Sequence, residues 1–424
     1  MKVIPNAREA IKLFSNRRLL EDDASLLESV AVTINDIRKR GDAAVRELSE
    51  KFDGMILKEA RVPAKDFKAA QKQVDKELKE AIQLSAKRIR AFYEHQPKEG
   101  FVWQTDGSLL GQMVRPLERV ACYVPGGQVP LFSTLLMTAV PAQVAGVPEI
   151  AVTIPRNKGG RVAPEVLVAA SEIGIDEVYC LGGPVAIAAL AYGTETIRKV
   201  DKIVGPGSRY TMAAKKLVFG DVGVEALPGP TETLVIADDS ADVNHVVADL
   251  LAQAEHDFAQ PVLVTTSEKL VKSVLKVLDM QLKTLPTKEV ARASVNERGF
   301  IVLVKTIEEA VEAANAYAPE HLCLLVANPW EVVPMVKHAG GLFIGEYSME
   351  ALGDYLAGPS HVMPTSGTAR FSSAINLRDF QKVIPFVAMS EKSVNEVGKP
   401  AARMARAEGL EAHARAIESR MAKD

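Results

Sequence analysis

The chain is short of cysteine, of long apolar runs and of any excess of one charge. Three cysteines stand in 424 residues, Cys122, Cys180 and Cys323. Each lies in an apolar, strand-like run without CxxC spacing, so no disulfide framework is expected and reduced core thiols in a cytoplasmic protein fit. The most apolar window, Leu131 to Ile154, is broken by two prolines, Gln143 and Glu149. It reads as buried helix, turn and strand, not as a membrane span. The start "MKVIPNAREA" is charged and has no apolar core of a secretory signal. Lys and Arg number 51 against 54 Asp and Glu, a net charge of −3, and the signs are mixed along the chain. Neither a nucleic-acid nor a membrane-surface partner is expected.

What is present is ordinary globular composition, 47% hydrophobic and 25% charged, in a chain too long for one core. Residues 20–100 show apolar positions at helical spacing, with a stop at Gly54. From Arg119 the pattern changes to short apolar runs that end in glycine or proline and lead into helices: "RVACYVPGG", "EIAVTIPR", "DEVYCLGG", "KIVGPGS". Such β–α alternation predicts a parallel sheet with ligand-binding loops at its carboxyl edge. A second series begins at "TLVIADD" and runs through "PVLVTTS", "GFIVLVKT", "HLCLLVAN" and "GGLFIGE". The expected fold is α/β, with two Rossmann-like parallel-sheet domains and helical N-terminal and C-terminal extensions. The extension covers 1–20, a discontinuous first α/β domain 21–118 plus 233–375, a second 119–232, and a tail 376–424, read as extended chain and then helix broken at Gly409.

Four segments carry side chains suited to chemistry. In "DLLAQAEHD" a helix places Gln253 and His256 three apart, side by side, where they could reach one metal ion or simply end a solvated helix. In "PEHLCLLV" Glu320 and His321 stand where a strand begins. A carboxylate beside a histidine is the usual equipment for acid–base work near neutral pH, although a strand-entry histidine can also be satisfied by backbone. The glycine-rich loop "GDYLAGPSHVMPTSGTARF" carries Asp354 and His361, for function or for turn structure. "EGLEAHARA" holds Glu408 and His413 on what is otherwise an exposed helix. Four of the seven histidines fall in these segments, and His, Gln and Asp together offer the nitrogen and oxygen ligands that suit zinc. Two glycine loops, "YVPGGQVP" and "VGPGSRY", lack the GxGxxG fingerprint but could cradle phosphate beside helix starts.

In their order, "RGDAAVRELSEKFDG", "VPGG", "GPG", "GPTE", "QAEHD", "APEHL", "GDYLAG", "HVMPT" and the tail histidine closely resemble the histidinol dehydrogenase family over nearly the whole chain. The resemblance implies NAD-linked oxidation of L-histidinol to L-histidine, through the aldehyde, in two hydride transfers. It implies zinc on Gln253, His256, Asp354 and His413, and a catalytic pair in Glu320 and His321. It implies substrate contacts from Thr231, in place of a serine, and from Glu408, together with Gln253, His256, His321, Asp354 and His413. It also implies a homodimer in which the tail of one subunit completes the other's site. Of the NAD contacts, Tyr123 is present. Val185 stands where the family has a glutamine and Ser208 where it has an asparagine, which removes hydrogen bonds of about 1 kcal/mol each.

On this reading His321 is the base that takes the hydroxyl proton as hydride leaves, and Glu320 activates water for the aldehyde step. No cysteine stands in a polar motif, so hydration of the aldehyde is favoured over a thiohemiacetal. The two departures leave open a relative acting on another primary alcohol. A zinc hydrolase without nucleotide, using the same Glu and His, is a further alternative.

Overall fold

The computed structural model describes residues 1–15, 24–54, 56–126, 129–157 and 160–422. In chain order the strands are β1 (Lys2–Ile4), β2 (Phe101–Thr105), β3 (Ser108–Pro116), β4 (Arg119–Tyr123), β5 (Glu149–Thr153), β6 (Val178–Tyr179) and β7 (Lys202–Val204). They continue as β8 (Gly223–Val224), β9 (Glu232–Ala237), β10 (Gln260–Thr265), β11 (Phe300–Leu303), β12 (His321–Leu325), β13 (Gly341–Ile344) and β14 (Gln381–Ala388). By its contacts the chain divides into two units, Met1–Gln96 with Glu118–Phe380, and Pro97–Leu117 with Gln381–Asp424.

The first unit holds two parallel sheets, ordered β6-β5-β4-β7-β8 and β1-β11-β10-β9-β12-β13. The α/β class with parallel sheets is the one the apolar runs imply. Helices cover both faces, so β4, β9 and β12 are buried along their whole length and read as continuous apolar runs rather than alternating ones. Each fully buried Val, Ile or Leu in them contributes about 1.5–3 kcal/mol. Each sheet grows outward from a middle strand, β4 or β9, and strand order reverses between β4 and β7 and between β9 and β12. Such reversals leave a crevice at the sheet edge.

The helices Ala24–Arg40 and Asp42–Asp53, grouped by sequence with the 233–375 series, pack instead in one apolar cluster with the 119–232 sheet. Leu26, Val30, Ile34 and Ile37 meet Ala121, Ile187 and Ile203 there. The β1 strand and the helix Ala7–Phe14, from the expected extension, join the other sheet, with Phe14 edge-on to Tyr317 at 4.8 Å. An amphipathic pattern says that a helix has an apolar face, not which sheet receives it. Helix Lys76–Glu94 is capped by Asp75, whose carboxylate accepts from Leu78 N–H at 2.8 Å. At its far end the buried Tyr93 hydroxyl donates to Ile375 C=O at 2.7 Å and accepts from Ser360 N–H at 3.1 Å. That anchor holds both sides of the loop after Asp354.

The second unit contains the antiparallel sheet β14-β3-β2. Sequence reading anticipated extended chain at 376 but not the hairpin β2–β3. Its turn is Asp106-Gly107, both at positive φ (49° and 78°), the conformation that a tight two-residue hairpin demands and that this dipeptide favours. Helices Glu391–Ala407 and Glu411–Glu418 follow, separated at Gly409 (φ 79°) as expected. Arg406 ties them together through Glu411 at 2.9 Å and Glu418 at 2.6 Å. Among the described residues no helix is long and apolar enough to cross a membrane.

Candidate active site

In the first unit the chemistry-bearing residues gather at two sheet edges. At the β9/β12 reversal they stand at the amino ends of the strands, not at the carboxyl ends where ligand sites of such sheets usually lie. Thr231 and Glu232 enter β9, Glu320 and His321 enter β12, and His321 pairs in register with Thr233. Adjacent strand residues point to opposite faces, yet Glu320 precedes the strand and turns back toward Thr231. The approach is tight. Ala318 adopts left-handed backbone (φ 52°), Pro319 follows, and a Cβ on Gly340 would lie 2.7 Å from the Glu320 carbonyl oxygen.

The His321 Nδ1 lies 2.9 Å from the Glu232 carbonyl oxygen. A carbonyl can only accept, so Nδ1 carries the proton and the neutral ring keeps its lone pair on Nε2. Nε2 is buried without a hydrogen-bond partner, and the ring stacks on Phe343 with centroids 5.7 Å apart. Burial lowers the His321 pKa to about 4. Burial also pushes the Glu320 carboxyl well above the usual range, against hydrogen bonds from Thr231 and Glu232 N–H. The 3.6 Å approach of His321 to Glu320 is therefore a contact of two neutral groups and not an ion pair. Thr231 Oγ1 is 2.7 Å from Glu320 Oε2 and 2.7 Å from Gln253 Oε1. One hydroxyl proton cannot serve two acceptors. The Thr231 proton therefore goes to one of them at a time, Glu320 Oε2 or Gln253 Oε1.

Gln253 lies on the last turn of helix Val243–Ala254, but that helix stops before His256, which sequence reading placed on it. His256 stands in the turn beyond, with its N–H on the Gln253 carbonyl at 3.0 Å, so the two remain neighbours. Asp354, expected in a loop, sits on the short helix Glu350–Tyr355. Burial raises its carboxyl to about 7. His361 places Nδ1 at 3.1 Å from the Asp354 carbonyl oxygen and Nε2 at 3.0 Å from the Thr134 hydroxyl. His256 and His361 lie close enough to His321 to disfavour its protonation, and Asp354 close enough to Glu320 to disfavour its ionisation. The first unit thus brings together Thr231, Gln253, His256, Glu320, His321, Asp354 and His361. Glu408 and His413 belong to the second unit, exposed at a helix end and on the last helix.

Gln253, His256 and Asp354 offer an amide oxygen, an imidazole and a carboxylate, donors that suit zinc, and a cation would restore the charge that burial takes from Asp354. They are a partial set. Among the described residues no three His, Cys, Asp or Glu side chains form a metal-holding group, and His256 and Asp354 are the expected ligands of those types in this unit.

At the other edge, carboxyl-terminal in the β4/β7 sheet, Tyr123 ends β4 and its buried hydroxyl accepts from Gly183 N–H at 3.1 Å. Val185 is 3% exposed inside the apolar cluster. The Ser208 hydroxyl caps helix Arg209–Val218, accepting from Thr211 N–H at 3.4 Å. Glycine loops beside helix starts at a strand-order reversal fit a nucleotide. Thr134 links this edge to His361, since its helix, Phe132–Val144, follows the β4 loop.

Sequence reasoning passed over Glu232, Thr134 and Phe343. Glu232 had a signal, since an acid opening the apolar run "ETLVIA" repeats the pattern of Glu320.

The histidinol dehydrogenase family model matches residues 16–421. The chain is 56% identical to a histidinol dehydrogenase of Deinococcus radiodurans over 91% of this chain and 88% of that one. It is 49% identical to that of Thermus thermophilus, over 98% and 99%. The solved histidinol dehydrogenase of Elizabethkingia anophelis superposes with a TM-score of 0.94 at 36% identity, covering 99% of this chain and 98% of that one.

The depressed pKa of His321 makes a prediction for metal-free protein. Its folded value is about 4 against an ordinary 6.5. Above pH 6.5 both states are neutral. As pH falls toward 4 the unfolded chain takes up a proton that the folded protein refuses, so stability is lost across that window. His321→Asn should lose roughly 2–3 kcal/mol less than the parent between pH 7.5 and 4.5. Urea unfolding at the two pH values measures this, and equal losses would refute a buried neutral His321.

Proposed function

The chain belongs to the histidinol dehydrogenase family, and from that premise we propose that it oxidises L-histidinol to L-histidine through the aldehyde, in two NAD-linked steps. The observation that supports this most is the His321 Nδ1–H bond to the Glu232 carbonyl, which leaves Nε2 as a buried free base.

When bound, NAD supplies the hydride acceptor and zinc a Lewis-acid anchor for substrate nitrogen. Gln253, His256 and Asp354 would hold the zinc, with His413 as fourth ligand. Tyr123 and the loops that carry Val185 and Ser208 would receive NAD. His321 Nε2 takes the proton of the substrate hydroxyl as the carbon loses hydride. Its low basicity at rest is the consequence of burial, and any negative charge developing beside it raises that basicity. In the second step Glu320 activates water for addition to the aldehyde. It must first give up the proton that burial and the neighbouring carboxyls of Glu232 and Asp354 favour, and the hydrogen bonds from Thr231 and Glu232 N–H work in the direction of that loss. Thr231 holds the Glu320 carboxyl from one side and Glu232 N–H, at 3.0 Å, from the other. No cysteine is poised as a nucleophile. Burial pushes the Cys122 thiol up to about 12, and Cys323 is likewise raised.

We further propose that Glu408 and His413 act in the site of a second copy. The tail exposes Val397 and Met404 on its first helix and Leu410 just before its second, apolar side chains that a symmetric partner would cover. Composite sites have a simple signature. When His413→Ala and His321→Asn proteins are mixed under conditions of demonstrated subunit exchange, part of the activity should return, because one site of each hybrid carries neither lesion. Activity that stays at the parental level places His413 in the site of its own chain.

NADH absorbance after addition of L-histidinol and NAD tests the main reading, and no NADH from zinc-loaded protein would refute it. His321→Asn should slow both oxidations about 10²–10⁴-fold. Glu320→Gln should slow the aldehyde step more than the alcohol step, and equal losses would reject the assigned division of labour.

A further inference from the structure

Gly205 opens the loop that follows β7 at the strand-order reversal. Its φ is +122°, and a Cβ there would lie 2.0 Å from the Tyr123 carbonyl oxygen, so only glycine lets this loop approach the end of β4. Both of its backbone polar groups are held by one buried ion pair. Gly205 N–H donates to Glu225 Oε1 at 2.7 Å, and Lys215 Nζ donates to Gly205 C=O at 3.0 Å. The Lys215 ammonium also reaches Glu225 Oε1 and Oε2, each at 2.8 Å. Lys215 is fully buried and the Glu225 side chain is 4% exposed.

Such a pair contributes little to stability. Two charges leave water, and that cost offsets most of their attraction. Its distinctive effect is geometric, since it fixes the orientation of the Gly205 peptide and with it the run Pro206–Ser208. The same edge has few side chains free to hold a dinucleotide. Val185 is packed in the apolar cluster, and the Ser208 hydroxyl is occupied by Thr211. Recognition therefore falls on backbone groups, and backbone recognition is only as good as its placement.

We propose that Lys215 and Glu225 are positioning residues for NAD, acting through Gly205 to hold the nucleotide-facing loop in its binding conformation. The inference rests on the reading of this edge as the NAD site. Neither residue touches the reacting atoms, so the effect falls on the KM for NAD and not on kcat.

The test is NAD titration, by isothermal titration calorimetry, of the zinc-loaded parent, of Lys215→Met/Glu225→Leu and of Glu225→Gln. The double variant removes both charges together but leaves the Gly205 N–H and C=O without these partners, so its thermal midpoint should fall below the parent's while the protein stays folded. Its affinity for NAD should fall about ten- to a hundredfold, the scale of lost hydrogen bonds to charged groups. Glu225→Gln keeps two polar atoms in place and should lose less, with kcat at saturating NAD retained. If the double variant fails to fold, the single variant decides, and an NAD KM equal to the parent's overturns the proposal. NAD affinity unchanged in a folded double variant overturns it too and leaves the assignment of the edge standing. A parent that binds no NAD ends both.

Discussion

The hydrogen bond from His321 Nδ1 to the Glu232 carbonyl is the constraint on which the rest of the candidate site depends. It joins the first residues of two neighbouring parallel strands, and it exists because β9 and β12 pair with His321 opposite Thr233. A shift of one residue would turn His321 to the other face of the sheet. With the register set, one contact decides which nitrogen is the base and how the ring stands against Phe343. The same residue gives its N–H to Glu320. Glu232 therefore orients both members of the acid–base pair through the two peptide units that flank it, and burial disfavours the charged form of each.

The two parallel sheets divide the work by edge. The β4/β7 sheet offers its carboxyl edge, where glycine loops meet helix starts, as in most α/β nucleotide sites. The β9/β12 sheet offers its amino edge, where strand-entry side chains converge. Thr134 and His361 connect the two, so that the first turn of helix Phe132–Val144 lies between the glycine loop and the histidine cluster. Tyr93 holds the connecting loop from behind through Ser360 and Ile375. The buried pair Lys215–Glu225 does for Gly205 what Glu232 does for His321, in that each fixes a ligand-facing group through backbone polar atoms.

Much of this was legible in the sequence, for identifiable reasons. Strands buried on both faces leave unbroken apolar runs, and glycines at their ends mark loops, so the α/β class could be read directly. Gln253, His256, Glu320 and His321 stood out because each is polar at the edge of an apolar helix face or strand, and Asp354 because it lies in a long glycine-rich loop. Less could be read about which surfaces meet. The helices from 24 to 53 have an apolar stripe that suits either sheet, and the packing partner is a tertiary fact. The register that sets Thr233 beside His321 is another. The hairpin at Asp106-Gly107 was legible and was passed over, since its flanking strands lie half exposed and lack the apolar density of the others. Lys215 and Glu225 read as helix and loop charges, and nothing in their spacing announces a buried pair around a glycine.

The most direct test of the account is ¹⁵N NMR of histidine-labelled protein, with His321→Asn used to assign the ring. The account predicts a neutral imidazole with the proton on Nδ1 and a bare Nε2, and no titration between pH 5.5 and 8. A His321 ring protonated on Nε2, or one that titrates near its ordinary 6.5, would contradict it.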